Sequence, residues 1–114
     1  MASTATIGSS ARIRRLNDRL RRTGMGGRIV LTPGVAALSP AAIAAIVAAV
    51  ARFDAFTPHN DPHGEHDCAM IEVGRDSILW KIDCYDPTLS FASHNPVDPA
   101  VTSRVLTIML AEEY

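Results

Sequence analysis

The chain has 114 residues, 47% apolar and 20% charged, and those proportions describe one ordinary soluble domain and exclude a collagen-like, coiled-coil or disulfide-scaffold protein. A domain of this size buries roughly 65% of its unfolded surface, enough for a core without metal or disulfide support. The net charge of −1 conceals a bipolar chain: Met1 to Arg28 carries seven arginines against Asp18, a balance of +6, whereas Phe53 to Tyr114 carries three bases against eleven acids, a balance of −8. Such a division makes a basic patch for nucleic acid, an acidic patch for a basic protein, or two halves that attract each other within the fold.

The longest apolar run, Ala41 to Ala51, is far below the roughly 20 residues of a bilayer crossing, so no membrane partner is expected. The opening residues carry no apolar signal segment. Their Arg-rich, acid-poor character imitates a transit peptide but runs straight into capped helical sequence, and a cytoplasmic location is expected. Cys68 and Cys84 form no C-x-x-C pair and read as reduced thiols without a basic neighbour to activate them.

Residues 1–10 read as a flexible segment and residues 11–114 as one domain. Ile13, Leu16 and Leu20 form the apolar stripe of a first helix, Ala11 to Thr23, with Ser9 or Ser10 as its cap and Gly24 as its stop. Arg28 to Thr32 is a short strand ended by the Pro33-Gly34 turn. Ser39 as N-cap, Pro40 at the first helical position and a Leu38–Ile43 staple open a second helix through Phe53, with Ile43, Ile46, Val47 and Val50 on one stripe. The stretch DAFTPHNDPHGEHD, Asp54 to Asp67, is a polar loop. Cys68 to Val73 and Ser77 to Tyr85 form a hairpin about Gly74-Arg75-Asp76, with Ile78, Trp80, Ile82 and Cys84 on its core face. Asp98-Pro99 repeats the cap-plus-proline signal and predicts a last helix to about Glu113. The order α-β-α-β-β-α predicts an α+β fold, a mostly antiparallel sheet packed by helices.

Three sets of residues carry possible chemistry. His59, Asp61, His63, Glu65, His66 and Asp67 are metal-ligand types crowded into nine residues, although Pro62 spoils the H-E-x-x-H helix and the loop lacks EF-hand spacing. Pairing Val73 with Ser77 would set Asp67 opposite Asp83, two carboxylates that need a shared proton or a cation. A structural reading of the same loop, held by Asx-type bonds, stands beside the metal reading. The arginines of the first helix, Arg12, Arg14, Arg15, Arg19, Arg21 and Arg22, could lie on nucleic-acid phosphates. The carboxylates Asp54, Asp61, Glu65, Asp76, Asp86, Glu112 and Glu113 could occupy an Arg/Lys groove of a protein partner. No phosphate loop, nucleophile elbow or nuclease D/E-x-K motif is present.

The strings LNDRLRRTGMGGRIVLTPGV, NDPHGEHD, WKIDCYD and RVLTIMLAEEY together resemble the family called domain of unknown function 3768, over about Ala11 to Tyr114. The chain departs from that family's pattern at Cys68 and Cys84, where aromatics are expected. The resemblance implies a small cytoplasmic protein of alphaproteobacterial mobile elements with an accessory role such as antagonism of a host defence system, and it implies no reaction. The expected function is a non-enzymatic binding protein that engages a protein partner through its acidic surface, with no cofactor. The alternative is a metal-binding protein or small hydrolase that uses a divalent metal at the His/Asp loop. Nucleic acid through the first helix and a homo-oligomer are further possible partners.

Overall fold

The computed structural model describes residues 8–114. Of the segment expected to be flexible, residues 1–7 lie outside the described residues, and Ser9 and Ser10 are the first residues of helix α1, Ser9–Thr23. Its N-cap is Gly8 and no side chain caps it, so neither serine plays the role expected of it. Gly24 ends the helix in the left-handed conformation, φ 78°, with its N–H on the Leu20 carbonyl at 2.8 Å, a stop that a side chain would strain.

Strand β1, Arg28–Leu31, leads into a single turn, α2, Pro33–Ala36, and then into α3, Pro40–Arg52. The predicted start of α3 holds in detail: the Ser39 hydroxyl accepts from Ala42 N–H at 3.1 Å and Pro40 begins the first turn. Strands β2, Cys68–Val73, and β3, Asp76–Tyr85, form the hairpin.

The final element differs from expectation. Asp98 does cap a turn, accepting from Ala100 N–H, but the turn is a single 3-10 segment, Pro99–Val101, and the chain continues as strand β4, Ser103–Leu110. The cap signal is local and satisfied within three residues. Beyond it, Val105, Thr107 and Ile108 are β-branched, and Leu106, Ile108 and Met109 are buried in a strand with neighbours on both sides. An apolar run of this length suits a central strand as well as a helix, and the neighbours decide.

The fold is α+β, with a mixed four-stranded sheet in the order β1-β4-β3-β2. β2–β3 and β3–β4 are antiparallel, and β1 runs parallel to β4. The core lies on one face of the sheet, where Ala69, Ile78, Trp80, Ile82, Leu106 and Ile108 meet Leu20 of α1, Val35 of α2, and Ile46 and Val50 of α3. Trp80 is 0% exposed, as its alternation with Ile78 and Ile82 predicts. Among the described residues no helix is long and apolar enough to cross a membrane.

Between α1 and β1 the backbone crosses the end of β4 at Gly27. A Cβ there would collide with the Arg104 carbonyl oxygen and lie 2.9 Å from Leu20 Cδ2. Backbone cannot yield as a flexible side chain can, so Gly27→Ala should cost about 1–3 kcal/mol and lower Tm by roughly 5–15 °C. Gly8→Ala, with open space around it, should leave Tm within a degree or two; thermal melts of both variants check this.

Candidate functional site

The polar loop is built on its own side chains. Asn60 accepts from Thr57 N–H at 2.8 Å and donates to the Ala55 carbonyl at 3.0 Å. Buried Asp61 accepts from the N–H groups of Glu65 and His66, both at 3.2 Å. His66 is thereby held at φ 53°, a region that non-glycine residues occupy only when their surroundings enforce it.

One edge of α1 grips the same segment in order. Arg14 Nη1 donates to the Gly64 carbonyl at 2.8 Å, Asn17 Nδ2 to the Glu65 carbonyl at 3.0 Å, and Asp18 meets His66 Nδ1 at 2.9 Å. The other ring nitrogen, Nε2, lies 3.7 Å from Asp61 Oδ2, and the ring stacks on Phe56 at 3.7 Å between centroids. Partial burial pushes the Asp18 carboxyl up, and its bonds to His66 and Arg21 outweigh that and hold it below the ordinary 3.8.

Arg21, which reads from sequence as part of the solvent-facing basic surface, is 2% exposed. Its Nη1 donates to the Val50, Ala51 and Phe53 carbonyls at the end of α3, its Nη2 pairs with Asp18 at 2.9 Å, and its guanidinium lies 5.1 Å from the Trp80 ring and 5.4 Å from Phe56. Arg14 is half-buried on Gly64. Neither belongs to a free basic surface.

The remaining four, Arg12, Arg15, Arg19 and Arg22, are exposed, and no ion pair engages them among the described residues. At 100° per residue they fall within an arc of about 80°, opposite the buried face of Asn17, Leu20 and Arg21. Arg15, Arg19 and Arg22 line a groove of about 300 Å³ with Thr23 and Asp18, whose carboxylate is already engaged inward.

The metal candidates are not brought to one point. The hairpin register is Val73↔Asp76, one residue from that expected, so Cys68 opposes Lys81 and Asp67 stands beside Ile82, whose N–H donates to the Asp67 carbonyl at 2.7 Å. The expected Asp67–Asp83 pairing therefore does not form. A two-residue turn at Gly74-Arg75 replaces the three-residue one, and a shift of one residue moves every side chain to the opposite partner face. Asp83 pairs instead with Lys81 of its own strand, on the sheet face away from the helices. His59 is exposed; His63 shares with Asp61 and His66 an open cleft of about 400 Å³. Both His66 nitrogens face carboxylates, and among the described residues no three His, Cys, Asp or Glu side chains are arranged to hold a metal ion. Burial raises both cysteine thiols, Cys84 in spite of its neighbour Arg104.

The acidic candidates divide between two ends of the sheet. Asp76, Glu112 and Glu113 lie at the hairpin end, where Ile78 pairs with Leu110; Asp54, Glu65 and Asp86 lie at the other, where Tyr85 pairs with Ser103. Glu113 bonds Thr32 Oγ1, Leu110 N–H and Gly34 N–H, which hold its carboxyl below its usual range. Asp86 accepts from Thr88, Ser90 and Phe91, which outweigh desolvation to the same effect.

Asp18, Asn17 and Phe56 are the site residues that sequence reasoning passes over. Asp18 carries one available signal, as the sole acid in an arginine-rich helix and three residues before Arg21. Its lowered carboxyl stabilises the fold fully above the ordinary 3.8, and that stabilisation is lost as pH falls through the lowered value. Asp18→Asn should therefore lower urea-unfolding stability at pH 7, with the gap from the parent chain closing as pH falls through the lowered value.

No curated protein and no solved structure matches this chain. A family model matches residues 31–113, from the last residue of β1 through β4, and leaves α1 outside. That match covers most of the chain, which therefore belongs to the family described as protein of unknown function, DUF3768.

Proposed function

We infer that the protein is a non-enzymatic binding protein whose contact surface is the outer face of α1, and that its ligand is the phosphate backbone of nucleic acid. The observation that carries this is the set of four exposed arginines, Arg12, Arg15, Arg19 and Arg22, on one helix face with no carboxylate partner among the described residues. Over the ten residues from Arg12 to Arg22 the helix rises about 15 Å, which spreads the guanidiniums along a strand rather than around one small anion. Arginine forks suit phosphate oxygens.

A protein partner fits this face less well, because protein interfaces centre on apolar or aromatic side chains and the arginine arc contains none. The absence of an aromatic there also argues for backbone contacts without base stacking, and so for binding with little sequence preference. The acidic surface expected to meet a protein partner is split across the length of β3, roughly 30 Å at strand rise. The cytoplasmic, anti-defence role that the family resemblance implies would then take the form of competition for a nucleic acid that a defence enzyme must hold.

Four phosphate contacts with single-stranded nucleic acid should give a slope of log K against log salt of about −3. Arg15→Glu with Arg19→Glu should weaken binding at least tenfold and flatten that slope, while Tm stays within a few degrees because both side chains are exposed. Fluorescence anisotropy of a labelled oligonucleotide across a salt series measures both. Binding that ignores salt, or survives the double substitution, overturns the reading.

A further inference from the structure

Arg104 is 3% exposed, yet no acid among the described residues pairs with it. Its Nε donates to Asn17 Oδ1 at 2.7 Å and its Nη2 to the Pro96 carbonyl at 2.6 Å, both neutral acceptors, and the side chain also bonds the Cys84 thiol. Guanidinium does not deprotonate in proteins, so a buried one without counter-charge leaves desolvation uncompensated. The nearby Cys84 thiol supplies no negative charge, since burial raises it.

The residue lines a cleft of about 370 Å³ with Gly26, Gly27, Arg28, Pro99, Thr102 and Ser103. The wall holds two arginines, two hydroxyl side chains and no carboxylate. Arg28 is exposed, and among the described residues it has no ion-pair partner. The cleft also adjoins the basic helix: Gly26 follows Arg22 by four residues, and Asn17 of α1 holds Arg104 in place.

We propose that this cleft is a phosphate-monoester site, and that the monoester it takes is the terminal phosphate of a nucleic-acid strand lying along α1. The second half rests on the reading of α1 given above; the first does not. A terminal monoester carries a charge near −2 and three free oxygens, against one charge and two free oxygens on an internal diester, and so answers two guanidiniums. The volume exceeds what a phosphate fills and leaves room for the sugar that bears it.

The test uses the full chain and one labelled single-stranded oligonucleotide in three forms: 5′-phosphorylated, 3′-phosphorylated and with hydroxyls at both ends. One phosphorylated form should bind about tenfold more tightly than the hydroxyl form, and Arg28→Gln should remove that preference. In parallel, inorganic phosphate titrated into ¹⁵N-labelled protein should move the Gly26, Gly27 and Ser103 amides saturably, and less in Arg28→Gln. Equal binding of all three forms with no saturable shift overturns the proposal while leaving the α1 reading intact. Saturable shifts in a protein that binds no oligonucleotide support the phosphate site, identify free phosphate compounds as its source and overturn the α1 reading instead. If Arg28→Gln loses helix signal by circular dichroism, Ser103→Ala replaces it with the same expected loss of preference.

Discussion

Arg21 is the point at which the helical layer, the polar loop and the sheet become one body. Its guanidinium closes the open carbonyls at the end of α3, pairs with Asp18, and lies against Trp80 and Phe56. Through Asp18 it reaches His66, and through His66 the loop that feeds β2. A buried cation is costly unless every neighbour is arranged around it, and here three carbonyls, a carboxylate and two aromatic faces supply that arrangement. One edge of α1 does similar work at Asn17, which joins the Glu65 carbonyl to Arg104 of β4. The first helix is therefore both a structural clamp and, on its opposite side, a cationic surface.

That division of labour explains a charge pattern that composition alone leaves ambiguous. The arginines of α1 are of two kinds, and helical geometry separates them. Arg14 and Arg21 point toward the loop and α3 and satisfy carbonyls; Arg12, Arg15, Arg19 and Arg22 point away and meet nothing described. The acids show the reverse: Asp18 within the basic segment, and Asp61, Asp86 and Glu113 in the acidic half, hold backbone or neighbouring side chains in place. Carboxylates that hold loops and termini in this way are poorly placed to meet a partner. Free charge of both signs remains, since Asp54 and Glu112 are exposed as well, but the basic share is gathered on one face of α1.

Elements whose signals are local were legible in the sequence. The Ser39-Pro40 start of α3, the Gly24 stop of α1, the alternation around Trp80 and the irregular course of 54–67 all rest on neighbours within a few residues. What depends on distant partners was not. Asp98-Pro99 imitates a helix start and so predicts a helix where β4 forms, whereas the strand conformation comes from β1 and β3. The hairpin register missed by one residue, and with it went the pairing of Asp67 and Asp83. At the site, His66 and Asp61 stood out by residue type, but their partner Asp18 lies 48 residues away from His66 and gave only the faint signal of an isolated acid. Arg21 could have been placed correctly: about 80° from Ile13 on the helical wheel, it belongs to the edge of the buried stripe.

The position of β4 governs how the chain can reach this structure at all. It is the last strand of the sequence and sits between the first and the third, pairing in parallel with β1 across nearly the whole domain. During synthesis β1 has no sheet to join, and the hairpin of β2 and β3 presents one apolar face and two open edges, one of which is covered only when Ser103 to Leu110 emerges. A two-stranded hairpin alone is marginal in water. The native sheet thus closes late, through contacts of high sequence separation, which favours slow folding and a period in which exposed edges are open to misassociation. A fragment ending before β4 lacks the strand that joins β1 to the hairpin, so the four-stranded sheet exists only once that strand is inserted.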